Sequence, residues 1–177
     1  MAVTTQRDLL LYELGAMRDA ERTGAQLLRW LGTHVRDGEL DELLRRQDHD
    51  CHEHLSNIES CLRVIGGSPL ETRSEVVEAM RLEYEQLVHT RPSAEALNLF
   101  ALVTAMQFMH FAVGSYTGLL CCTRLTRMDD CVPSLRENLR QKTASAQALE
   151  DIGRRMVEEM PEARGVAGDG ARLTGSA

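Results

Sequence analysis

The chain has 177 residues, of which 43% are hydrophobic and 27% charged, enough apolar material for one domain with a sizeable core. Aromatic residues are only 4%, which disfavours a β-rich fold. Twenty Lys+Arg against 27 Asp+Glu give a net charge of −7 without any basic block, which argues against a nucleic-acid partner. Lys142 is the only lysine, so any amine-based role falls to that one residue.

The pattern is helical throughout. Helix 1 is expected from about Thr5 to Leu31, stopping near Gly32, and helix 2 from behind Asp37 to the Gly66-Gly67 pair. A shorter helix 3 opens at Ser68-Pro69-Leu70-Glu71 and ends before Arg91-Pro92, where the residue preceding proline avoids the α region. Helix 4 is expected from about Ser93 to Arg124. Helix 5 begins with the capping box Ser134–Glu137 and ends near Met160-Pro161. Residues 1–160 form one domain in this reading, and the Gly- and Ala-rich stretch 161–177 reads as a flexible tail. Four long helices with a short connecting one predict an all-α, four-helix bundle of the ferritin-like type, its short crossover helix lying between helices 2 and 4.

Helical periodicity assigns a face to each long helix. Helix 1 turns Leu10, Leu14, Met17, Glu21, Gly24, Leu28 and Leu31 inward, with an acid in mid-stripe. On helix 2 the stripe is Leu40, Leu44, Gln47, Cys51, His54, Ile58, Cys61 and Ile65, with Asp50 at its flank and His49, His52 and Glu53 rotated away. Helix 4 gives Leu99, Val103, Met106, His110, Val113, Thr117 and Leu120, with Met109 beside them. Helix 5 gives Leu135, Leu139, Lys142, Ala146, Leu149, Gly153 and Met160. Polar residues thus converge near mid-length as a buried network of Glu21, Gln47, Asp50, His54, His110 and Lys142. Unpaired buried charge is costly, so these groups must meet one another or a ligand.

From Ala96 to Thr123 there is no charged residue, and Phe100, Phe108, Phe111 and Leu119 lie off the expected stripe. A membrane span is long enough on paper, but Asn98, Thr104, Gln107, His110, Ser115 and Thr117 dilute it and no basic flank supports it. The expectation is no membrane, and a homodimer through helix 4 that covers the second apolar face.

Five cysteines without a CxxC pair argue against a disulfide framework or a zinc knuckle. With no apolar core of a signal peptide at the N-terminus, the expected compartment is the cytoplasm. No GxSxG, P-loop, HExxH or dinucleotide fingerprint occurs, nor CxxCH for covalent haem.

The stretch Leu11-Tyr-Glu-Leu-Gly-Ala-Met-Arg-Asp-Ala-Glu21 resembles the opening of the YciE/YciF-type ferritin-like family, stress-associated helix bundles of bacteria. Leu40–Pro69, Glu78-Ala-Met80 and Met109–Tyr116 keep step with it, so the resemblance covers about residues 8–158. Carried across position by position, it keeps Glu21 and shortens the second-helix acid to Asp50. The two fourth-helix acids fall on Met109 and Ala112, and the fifth-helix acid falls on Lys142 or Gln141. Two oxygen ligands are therefore missing and a cation stands near a third, so the resemblance implies a degenerate di-iron site with Lys142 neutralising Glu21 and Asp50 and no cofactor. The alternative retains a single Fe, Mn or Zn ion on Glu21, Asp50, His54 and His110, as in a non-haem metal oxidoreductase. A soft-metal variant uses Cys51, His54, Met106 and Met109 for Cu(I). The plainest alternative treats these histidines, methionines and cysteines as core filler. Leu173-Thr-Gly-Ser176 faintly resembles the cargo tags that direct some ferritin-like proteins to an encapsulin shell. The overall expectation is a structural, interaction or stress-related bundle protein.

Overall fold

The computed structural model describes residues 3–66 and 72–159. The helix start expected at Ser68–Glu71, the stripe position Met160, the 161–177 tail and the cargo-tag-like stretch Leu173–Ser176 lie outside them. Five α-helices and one 3₁₀ turn make up the described architecture: α1 (Gln6–Gly32), α2 (Gly38–Ile65), α3 (Glu75–His89), α4 (Ala94–Thr126), the 3₁₀ turn Asp129–Cys131, and α5 (Val132–Glu159).

Local chemistry sets most boundaries. Thr5 caps α1 in a reciprocal box with Asp8, whose carboxylate accepts from the Thr5 backbone at 2.9 Å. Asp37 caps α2 by accepting from the Leu40 amide, and Gly66 ends that helix in the left-handed region at φ 67°. Ser93 caps α4 by accepting from Ala96. Two boundaries differ from expectation. The described N-cap of α3 is Ser74, and α5 starts at Val132, so Ser134 lies inside the helix instead of capping it. The preceding 3₁₀ turn runs directly into α5, and Pro133 fits its first turn, where an amide proton is not needed.

Side-chain contacts fix the topology. Arg7 donates to the Ile65 carbonyl at 2.6 Å, which places the start of α1 beside the end of α2. The Arg36 amide donates to Asn98 at 2.8 Å, so α4 begins where α1 ends. Arg155 near the end of α5 binds Asp37 at the start of α2. Accordingly α1 and α5 run one way, and α2 and α4 the other. Two successive long helices with the same direction need a return crossover, and α3 makes it, packing on α1 and α4. The four long helices form a square in which α1 neighbours α2 and α4, and α5 neighbours those same two helices.

The inner faces of α1 and α2 are those the periodicity gives: Leu10 to Leu31 and Leu40 to Ile65 are buried at every expected stripe position. Helix α4 is rotated from expectation. Its buried face is Ala101, Ala105, Phe108, Met109, Ala112, Tyr116, Leu119 and Thr123, whereas Leu99, Val103 and His110 are exposed. The reason is that α4 is apolar all round, so apolar spacing carries no phase.

Packing is tightest where α1 meets α4. A Cβ added at Gly24 would lie 2.1 Å from Cζ of Phe108, a ring that is itself fully buried. Gly24→Ala should therefore destabilise the protein by about 1–3 kcal/mol, although alanine is the better helix former by ~1 kcal/mol. Thermal unfolding of Gly24→Ala and of Gly24→Ala/Phe108→Leu checks this, the smaller side chain restoring most of the loss.

Candidate functional site

The centre of the bundle holds a buried polar cluster built from all four long helices. Glu21 of α1, His54 of α2 and Lys142 of α5 are each fully buried. Each has apolar stripe neighbours one turn away, Met17 and Ala25 for Glu21, Cys51 and Ile58 for His54, and Leu139 and Ala146 for Lys142, so the fold that buries the stripe buries the charge with it. The Lys142 ammonium lies 2.9 Å from Glu21 Oε2 and 3.5 Å from Cys51 Sγ. Its outer side is covered by the Phe108 ring, 4.6 Å from the centroid, a favourable site for a cation over an aromatic face.

The other carboxylate oxygen, Glu21 Oε1, accepts a 2.8 Å hydrogen bond from the Tyr116 hydroxyl. Asn138 on α5 donates to that same hydroxyl oxygen at 3.1 Å and accepts from Asn57 at 2.7 Å. His54 Nε2 donates to Gln141 Oε1 at 2.8 Å. His54 Nδ1 lies 3.4 Å from Glu21 Oε1 and has no hydrogen-bond partner among the described residues.

Electrostatics follow from this geometry. Burial alone would raise the Glu21 carboxyl, but the Lys142 charge and the adjacent His54 outweigh it, bringing the pKa from an ordinary 4.5 down to about 2. Burial would lower Lys142, and the Glu21 carboxylate beside it, with the Cys51 sulfur as a further acceptor, holds it above its ordinary value. The Cys51 sulfur stays a thiol, pushed well up by burial. Glu21 and Lys142 are thus an ionised pair shut away from water.

Of the expected network, Glu21, His54 and Lys142 come together. Gln47 is buried one turn before Cys51 but turns its Nε2 outward to Asp50 Oδ2 at 2.9 Å. Asp50 is half-buried at the flank, as its stripe position indicated, and does not reach Lys142. His110 is a correction. It lies at the surface with 55% of its side chain exposed, 3.4 Å from Glu150, because α4 turns Phe108, Met109, Ala112 and Tyr116 inward instead. Of the soft-ligand set, Met109 is buried and Met106 only half-buried. Tyr116 and Asn138 join the cluster without having been expected there, and Gln141 enters it from a position that the resemblance offers for the fifth-helix acid. Asn138 was legible as the polar position between Leu135 and Lys142 on the α5 stripe, whereas Tyr116 needed the rotation of α4.

The donor chemistry can be tested against a metal. Glu21, Cys51 and His54 each offer a ligand atom, all within 4.8 Å of one another. Two carboxylate-bridged iron ions do not fit that set, because it holds one carboxylate and an ammonium already beside it. The cluster's formal charges cancel without any further cation.

Comparisons with known proteins add the relatives. A sequence model described as "Domain of unknown function (DUF892)" matches residues 5–161. Among solved structures, the chain is similar to the Escherichia coli stress protein YciF, with TM-score 0.84 and 16% identity over 89% of this chain and 99% of that one. It is also similar to YcfI of Rhodopseudomonas palustris, provisionally described as a structural protein, with TM-score 0.80 and 18% identity over 84% of this chain and 94% of that one. A third neighbour, from Xanthomonas campestris, has TM-score 0.71 and 14% identity over 91% and 99% of the two chains. At these identities the likeness concerns the fold. No curated protein matches.

Removing the ammonium leaves a buried carboxylate without a counter-charge, so Lys142→Met should cost about 3–5 kcal/mol, while Glu21→Gln/Lys142→Met should recover most of that loss. The pH dependence follows the lowered carboxyl. Its stabilising contribution is complete above about pH 4.5 and is lost as pH falls toward about 2. Denaturant titrations across that range should show a shallower acid limb for the double variant than for the wild type. Equal acid limbs would show that Glu21 is not held ionised by its neighbours.

Proposed function

We propose that this chain, which belongs to the DUF892 family, is a ferritin-like bundle whose di-iron chemistry has been replaced by an internal ion pair, and that it serves as a dimeric structural or stress-related cytoplasmic protein rather than as an enzyme. The observation that carries the reading is the Lys142 ammonium at 2.9 Å from Glu21, in the middle of the four long helices. A fixed organic cation there supplies the neutralisation that a metal ion would otherwise bring, at the price of the open coordination positions a redox metal needs. The stress-protein and structural-protein descriptions of the solved neighbours agree with such a role.

Support for a dimer comes from the outer face of α4. Val103, Gln107, His110, Gly114, Thr117 and Gly118 are exposed, and no charged residue interrupts Ala96–Thr123. This helix is long and apolar enough to cross a membrane by length and composition, yet only 39% of its most apolar window is buried inside the protein. A Cβ at Gly114 or Gly118 would meet nothing within 4 Å, which leaves room for the backbone of a second α4 to approach closely. A depression of about 480 Å³ beside them, reaching Leu9 and Glu13 of α1, offers a seat for side chains of the second copy.

One observation favours a second reading. The buried trio Glu21, Cys51 and His54 includes an unpartnered His54 Nδ1, and would suit a single zinc or iron ion if Lys142 swung away. Elemental analysis of untagged protein separates the two. The first reading expects no stoichiometric Fe, Mn or Zn in the wild type. One equivalent of metal, lost in Cys51→Ala/His54→Ala, would establish the second.

The dimer has its own test. Val103→Glu and Gly114→Arg should halve the mass measured by light scattering without lowering thermal stability of the fold by more than ~1 kcal/mol. A wild-type monomer, or an unchanged mass in both variants, rejects the α4 interface. Phe108→Glu is unsuitable for this purpose, because Phe108 packs in the core.

A further inference from the structure

We infer that Cys61 and Cys131 form a redox site, an intrachain disulfide that ties the last turns of α2 to the start of α5. Both thiols are buried, and each lies against the backbone of the other: Cys61 Sγ is 3.8 Å from the Cys131 carbonyl oxygen, and Cys131 Sγ is 3.9 Å from the Cys61 carbonyl oxygen. This reciprocal arrangement brings the two side chains face to face across the junction of two elements. The remaining cysteines are placed otherwise. Cys51 lies in the charged cluster, ten residues back along α2 and so ~15 Å away, while Cys121 is exposed and Cys122 adjacent to it on α4. The site is therefore separate from the Glu21–Lys142 pair and does not rest on the reading given to that pair.

The chemistry has a direction. Burial and the neighbouring thiol push Cys61 up to about 12. Cys131 is also raised by burial, its contact with Cys61 opposing that rise, and it stands on the turn whose Asp129 and Asp130 are exposed, so it is the partner an oxidant meets first. With hydrogen peroxide as oxidant, the Cys131 sulfur attacks the O–O bond, giving a sulfenic acid, and its thiol proton leaves with the departing hydroxide as water. The Cys61 sulfur then displaces the second oxygen as water and forms the S–S bond. Two thiols and one peroxide thus yield one disulfide and two waters, the sulfurs losing the two electrons that peroxide takes. Such desolvated thiols react slowly. Access comes through the Asp129–Cys131 turn, the 3₁₀ segment between two long helices.

The bond spans a separation of 70 residues and encloses the whole crossover and α4. Cross-linking so long a segment restricts the unfolded chain strongly, so the oxidised form is the more stable one. The site amounts to a lock on the bundle that sustained oxidant closes and thiol reductant opens.

The test uses full-length Cys121→Ser/Cys122→Ser protein, which removes the exposed competitor. After peroxide treatment, denatured alkylation should find one reactive thiol where reduced protein has three, and peptide mapping should recover Cys61 linked to Cys131. Thermal unfolding should rise by roughly 5–10 °C and return on adding dithiothreitol. In the same background, Cys61→Ser should stop at a sulfenic acid on Cys131, trapped by dimedone. Three alkylatable thiols after peroxide, a bond involving Cys51, or Cys131 sulfinic acid without a cross-link would each overturn the proposal. Should the Cys61→Ser variant not fold, the peptide map of the background protein decides alone.

Discussion

A carboxylate and an ammonium held 2.9 Å apart with no access to water impose a condition on everything around them. Each ion would cost several kcal/mol to desolvate alone, and their attraction offsets that only when the remaining lone pairs and protons are also met. The protein meets them from every side of the square. Tyr116 comes from α4, Cys51 from α2, and Asn138 steadies the tyrosine from α5. Phe108 then seals the ammonium beneath its ring. Because the partners come from all four long helices, the pair fixes their relative rotation and register as well as their contact.

The same condition explains which parts of the site are legible in the amino-acid sequence. Glu21, His54 and Lys142 are conspicuous because each breaks an otherwise apolar stripe, and a break in a stripe is visible only where the stripe itself is. Helices α1 and α2 have sharply divided faces, so their expected stripes are buried throughout, while on α5 the spacing finds Leu135, Lys142, Ala146 and Leu149 but not Asn138. Helix α4 has no such division. Its periodicity puts His110 inside, and the structure turns that residue to the surface beside Glu150. Tyr116, the direct α4 ligand of Glu21, is hidden by the same ambiguity.

The family resemblance carries information there that periodicity lacks. It aligns Met109 and Ala112 with inward-facing acids, and both are fully buried. These positions imply a rotation of α4 that excludes His110, since successive residues advance by about 100° and one helix cannot present 109, 110 and 112 to the same narrow seam. Periodicity and resemblance thus give different phases for one helix. The resemblance, tied to particular positions, gives the better phase, because an apolar run constrains composition but leaves rotation free. Helix ends show a related contrast. The caps at Thr5, Asp37 and Ser93 are as their side-chain chemistry dictates, whereas Ser134 loses its capping role to the 3₁₀ turn that starts α5 two residues earlier.

The space around the ion pair limits what any single change at Lys142 can do. Met109 and Ala112 line the α4 side with methyl and thioether groups, and the Phe108 ring reaches across to within contact of the Gly24 backbone. Placing an acid at position 142 would add one oxygen ligand opposite Glu21. It would still leave α4 without carboxylates, and it would leave an aromatic ring packed beside the cluster. A site for two bridged metal ions therefore differs from this core by several concerted substitutions on two helices, including one that empties the ring from the α1–α4 contact. The ion pair, the ring over it and the glycine opposite that ring behave as one packed unit, so any stepwise change toward a two-metal site passes through intermediates with a buried unpaired charge or an open cavity, each costing several kcal/mol of a marginal stability.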